Sequence, residues 1–140
     1  MSILKAMDVL SSGLHAQRTR MDVTTANLAN AETTRTPEGG AYKPQHVVFE
    51  SVPGDRGQRF ESALEGVRVA EIADMDKPPR QVYDPGHPDA DPATGIVEMP
   101  DINVVEQMVD LITASRSFEA NVTAFEQLKQ SVRKAIELGR

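Results

Sequence analysis

Asp101 to Leu138 reads DINVVEQMVDLITASRSFEANVTAFEQLKQSVRKAIEL, with no glycine or proline anywhere in it. A stretch so free of breakers is predicted to be one long helix. Stepping alternately four and three residues from Val104 visits Met108, Leu111, Ser115, Phe118, Val122, Phe125, Lys129, Val132 and Ile136. Eight of these ten are apolar, the spacing of a coiled-coil seam. Asp101, directly after Pro100, is placed to cap the start, and Gly139 to stop the end. At 1.5 Å rise per residue such a helix is about 57 Å long, while a domain of this size is about 30 Å across. The helix must therefore overhang its own core. Val105, Val109 and Ile112 widen its apolar surface beyond a two-stranded seam, so more than one neighbour is expected over its first half.

The other end of the chain repeats the pattern. Residues 1–30 hold a single breaker, Gly13, and the same stepping from Ile3 visits Met7, Leu10, Leu14, Gln17, Met21, Thr24 and Leu28, six of eight apolar. All nine prolines lie between Pro37 and Pro100, as do seven of the nine glycines, so the middle is predicted to be turns and strands. Gln45–Glu50, Val67–Ile72, Arg80–Tyr83 and Ile96–Met99 have β-rich composition and point to a small domain of about four strands. Residues 51–65 lack a clean period and are expected to form a mobile excursion. The expected fold class is thus α+β: long N- and C-terminal helices packing as a coiled-coil-like pair around a small β-rich middle. The divisions fall at 1–36, 37–100 and 101–140. The simplest alternative is an intramolecular helical hairpin that buries most of the apolar surface by itself. The unequal helix lengths, and the interruptions at Gln17, Thr24, Ser115 and Lys129, weigh against it.

Composition narrows function. At 140 residues there is room for one core and little more. With 15 basic against 21 acidic residues, the net charge of -6 disfavours binding driven by nucleic-acid phosphate or anionic lipid. Residues 1–30 carry +1 and 101–140 carry -1, so the acidity sits in the middle, which is better left facing solvent. The absence of cysteine removes disulfides, thiolate metal sites and thiol nucleophiles. Asp84, His87, Asp89 and Asp91 form the one dense set of titratable groups, but the prolines and Gly86 among them fit a turn-rich connection. His15 and His46 have no neighbouring acid or nucleophile for a relay. No phosphate loop, serine elbow or zinc-binding histidine pair occurs, and Asn121-Val122-Thr123 is an incidental mid-helix glycosylation pattern. Neither a catalytic residue, a cofactor nor a metal is expected. One lysine and one aspartate in the first fourteen residues make a poor membrane-surface helix, and no cleavable signal peptide is expected because Val9–Leu14 is short and interrupted.

Residues 26–43, ANLANAETTRTPEGGAYK, contain Asn27-Leu28-Ala29-Asn30 at a helix end, then a Thr-containing loop and the pair Tyr42-Lys43. Asn27 and Asn30 could bond exposed carbonyls or adopt left-handed backbone, and Thr33, Thr34 and Thr36 could fold the loop back through hydroxyl-to-backbone bonds. This stretch resembles the signature of the flagellar rod and hook proteins. INVVEQMVDLITASRSFEAN, residues 102–121, resembles their shared end helix, with Phe118 where tyrosine is common before Glu119-Ala120-Asn121. VYDPGHPDADPATGIVEMP, residues 82–100, resembles the segment marking the proximal-rod members, and the short middle agrees with them. The resemblance implies a structural subunit of the bacterial flagellar rod. Its partners would be its own copies, other rod proteins and the membrane-ring base, without insertion into the membrane. It would be exported by the flagellar type III apparatus without a cleaved signal peptide, and assembled in the periplasm. The seam residues would form the subunit interface. The competing expectation is a free-standing helical adaptor or export chaperone.

Overall fold

The computed structural model describes residues 3–52 and 66–139. Of the excursion expected at 51–65, residues 51 and 52 are strand instead, and 53–65 lie outside the described residues. The element order is α1 (Ile3–Ala29), β1 (Gln45–Val52), β2 (Gly66–Asp74), β3 (Arg80–Tyr83), β4 (Ile96–Met99) and α2 (Val104–Leu138). Two long helices flank a strand-bearing middle, as expected for the α+β class. At 1.5 Å per residue the 27-residue α1 is about 40 Å long and the 35-residue α2 about 52 Å.

Cross-helix contacts show the pair to be antiparallel. Asn27 bonds Gln107, Arg20 pairs with Asp110, and a Cβ on Gly13 would meet Asn121 at 3.2 Å. Further along, Leu10 and Leu128 line one open apolar groove. The alignment runs out near Ile3, so the last turns of α2 extend past the start of α1. The closest packing uses small residues: Ala16 and Ala114 are fully buried, and Gly13 lets Asn121 approach. Large side chains on both helices are mostly half-buried.

Capping of α2 differs from the expectation. Asn103, not Asp101, is the N-cap, its Oδ1 accepting from the Val105 and Glu106 amides at 3.1 and 3.4 Å. Both residue types can cap, but only Asn103 is followed three residues later by an acid, Glu106, which suits the positive end of the helix. Asp101 instead lies 4.0 Å from Lys77. At the other end Gly139 does stop the helix, its N–H donating to Ile136, with φ of -92° and so without left-handed geometry.

All four expected strands form, but as two separate two-stranded sheets. The first hairpin, β1 with β2, lies along α1. The Val67 amide bonds Ser12 at one end, and Gln45 meets Asn27 at the other. Apolar spacing in β2 is irregular, Val67 and Val69 two apart and Ile72 three further. A bulge opposite Val48 and Phe49 absorbs the extra residue, so Phe49 opposes Val69 and Val47 opposes Ile72. The second hairpin, β3 with β4, packs on the loop after α1, with Val97 buried and Thr34 bonding Asp89. Gly95, at φ +67°, turns beneath the Tyr83 ring, where a Cβ would come within 2.9 Å. Among the described residues no helix is long and apolar enough to cross a membrane.

Candidate functional site

Two features stand out: a polar junction at the end of α1, and the apolar surface that the helix pair leaves exposed. The junction is centred on Asn27, which is only 2% exposed. Its Nδ2 donates to the Gln45 carbonyl at 2.7 Å and to Gln107 Oε1 at 3.1 Å. Its Oδ1 accepts from the Gln45 amide at 2.9 Å and from the Tyr42 hydroxyl at 3.1 Å. One side-chain amide thus ties α1 to the loop, to β1 and to α2. Every hydrogen-bonding position of Asn27 is used, the condition under which a buried amide is tolerated. Burial, and then the negative charge of Asp74, push the Tyr42 hydroxyl above its ordinary pKa, so at neutral pH it is a donor.

The rest of the motif serves the turn. Asn30 Nδ2 donates back to the Ala26 carbonyl and its Oδ1 accepts from Thr33. No non-glycine residue described has positive φ, so neither asparagine takes the left-handed option. Thr36 bonds the Gly39 and Gly40 carbonyls as expected, whereas Thr33 and Thr34 bond side chains, those of Asn30 and Asp89. Leu28 is half-buried and Ala29 exposed. Of the second motif, Asn121 sits against Gly13 while Glu119 and Ala120 face outward. In the acidic loop, Asp84 accepts from the Gly86 amide, His87 Nδ1 from the Asp89 amide, and Asp91 from Ala93 and Thr94. Those bonds to Asp91 hold its carboxyl below the usual range. These are turn-forming bonds, and no three metal-ligating side chains converge among the described residues.

The seam is only partly where stepping by fours and threes puts it. Met7, Leu10, Leu14, Met21 and Leu28 of α1 are half-buried, as are Leu111, Phe118, Val122, Phe125 and Val132 of α2. Ile3, Val104, Met108 and Ile136 are exposed. The cause is helical twist. A strict seven-residue repeat drifts about 20° per heptad on a straight helix, so from Val104 to Val132 it rotates about 80°. The face of α2 that meets α1 runs instead through Gln107, Asp110, Ala114 and Asn121. Val104 and Met108 consequently join Val105, Val109 and Ile112 in one exposed stripe on roughly the opposite side, Val105 being 68% exposed. Ile136 is exposed for a different reason, since it lies beyond the described part of α1. Sequence reasoning missed Ser12, Ala16, Arg20, Gln107 and Ala114, which are small or polar and so silent in an apolar count.

Comparison with known proteins follows the same division of the chain. Residues 7–35 match the family model described as flagella basal body rod protein, and residues 93–138 match flagellar basal body rod FlgEFG protein C-terminal. The chain is 40% identical to the flagellar basal-body rod protein FlgC of Borreliella burgdorferi, over 99% of this chain and 98% of that protein. It is 39% identical to FlgC of Escherichia coli O6:H1 and 38% identical to that of Bacillus subtilis, in both cases over the whole of each chain.

Proposed function

The chain belongs to the flagellar basal-body rod protein family, and from that premise we propose that it polymerises through its terminal helices into the proximal rod, transmits torque and lines the export channel. It is a structural subunit of the basal body, and its work is mechanical rather than catalytic. The observation that carries the polymerisation reading is the exposed stripe Val104, Val105, Met108, Val109 and Ile112. It persists after α2 has already packed against α1. Fully burying a side chain of this kind is worth about 1.5–3 kcal/mol, so covering half of each of five yields several kcal/mol per copy. Torque then passes through many such contacts, none of which has to react.

We assign the exposed members of the seam, Ile3, Val104, Met108 and Ile136, to contacts with neighbours. The half-buried members have a double role, holding α1 to α2 and presenting their outer edges. The neighbours are further copies, other rod proteins and the membrane-ring base, reached after unfolded export through the flagellar type III apparatus into the periplasm. A cysteine-free chain suits that route, because nothing in it can be cross-linked in an oxidising compartment. Electron microscopy of basal bodies from a strain lacking this gene, with and without a plasmid copy, tests the reading. Rings that stop short of a rod, repaired by the plasmid, are expected; intact rods without the gene would refute it.

A further inference from the structure

The second hairpin is fastened to the loop after α1 through Asp89, and we propose that His87 makes this fastening pH-sensitive: the neutral imidazole holds Asp89 in place, and its protonation releases Asp89 from the loop.

Neither β3 nor β4 packs against a helix or against the first hairpin. Among the described residues, every hydrogen bond or ion pair that leaves residues 80–99 starts from Asp89. The Thr34 hydroxyl donates to one of its carboxylate oxygens at 2.8 Å, and Arg35 lies 3.8 Å from the other. The position of Asp89 depends in turn on His87, whose Nδ1 accepts from the Asp89 amide at 3.1 Å. The loop holds two more turns of this kind, with Asp84 accepting from the Gly86 amide and Asp91 from the Ala93 amide. Of these side-chain types, only histidine ordinarily changes charge between about pH 5 and 8.

To accept at Nδ1 the ring must be neutral, with its proton on Nε2. A second proton turns the acceptor into a donor facing another N–H, so the bond is lost outright rather than weakened. The charges around the ring decide where it goes. Asp84, Asp89 and Asp91 share its loop, Glu98 of β4 lines the same cleft as Asp89 and Asp91, and Arg35 is the cation that reaches Asp89. An imidazolium here turns from the amide toward carboxylate. Asp89, the nearest in sequence, then gives up Thr34 and Arg35 for its own neighbour. The middle of the chain thus has two attachments that answer differently to pH. The bonds of the Asn27 junction join amides and a tyrosine hydroxyl that stays protonated well above neutrality, whereas the Asp89 latch opens as pH falls through the histidine range.

Nitrogen–proton NMR of the full chain between pH 8 and pH 5.5 tests this. The His87 ring and the amides of Asp89, Thr34 and Arg35 are expected to titrate together, with one midpoint. His87→Asn separates that event from other titrations: an asparagine Oδ1 accepts from the amide two residues on and gains no proton, so the three amide signals should stay fixed. His87→Ala lacks the acceptor at every pH, and trypsin should cut it after Arg35 at pH 8 several-fold faster than wild type or His87→Asn. Circular dichroism checks that all three chains fold. Thr34 and Arg35 signals that ignore the His87 titration, an asparagine variant that titrates like wild type, or equal cleavage of the alanine variant and wild type would overturn the proposal.

Discussion

Replacing Asn27 by alanine should destabilise the fold by about 3–4 kcal/mol. The figure follows from four hydrogen bonds lost at a buried site, each worth about 1 kcal/mol net. Both backbone groups of Gln45 would be left without those partners, while Tyr42 and Gln107 could turn to water. Asn27→Asp is the sharper variant, since it keeps the shape and the Oδ1 acceptor but sets a second carboxylate oxygen against the Gln45 carbonyl, 2.7 Å away. Gln107 can rotate its amide to donate; a carbonyl cannot. The introduced carboxyl should have a folded pKa above its unfolded value of about 3.9. The variant's stability is then fully present below that unfolded value and falls as pH rises through the raised one. Urea unfolding followed by circular dichroism at pH 4 and pH 7 measures both effects. A cost under about 1 kcal/mol for the alanine variant, the size expected of an ordinary exposed helix end, would refute the junction. So would an aspartate variant equal to wild type at pH 7.

Ala114→Leu adds volume where α2 meets α1 with no space left, and should cost about 1–3 kcal/mol by urea unfolding. Exposed Ala120→Leu, its control, should stay within about 0.5 kcal/mol. Because burial, and then Asp74, raise the folded pKa of Tyr42 above its ordinary value of 10.0, its contribution to stability is intact below that value and is lost as pH rises through the folded one. Tyr42→Phe should flatten the alkaline limb of a stability profile, and an unchanged limb would contradict the assignment. Finally, dilute monomer should show weak amide protection in residues 3–10 and 129–138 and strong protection around Asn27, with helicity rising on assembly, because ends without partners do not offset their ordering entropy. Uniformly protected, protease-resistant ends in the monomer would refute this.

Much of the architecture was legible because it depends on local chemistry. Proline and glycine mark the edges of the middle, and β3 and β4 begin and end where their composition says. The asparagine motif could be read as a lock between helix and loop, yet its partners could not be named. Gln45 lies 18 residues away and Gln107 lies 80 away, and neither is apolar enough to draw notice. Gln17 is similar: it interrupts the apolar seam, and its Oε1 is buried without a hydrogen-bond partner, a detail for which packing offers no account.

By itself the sequence determined two long helices, four short strands, a break-free C-terminal segment too long for its own core, and a chain without cysteine. Those properties follow from residue spacing and composition along the chain. Tertiary structure alone decided which side chains face α1 and how the strands pair into separate hairpins. Small angular increments decide the first of these: a difference between 3.5 and 3.6 residues per turn is negligible over one heptad, but over four it moves Val104 and Met108 from the helix interface to the surface where neighbours are proposed to bind.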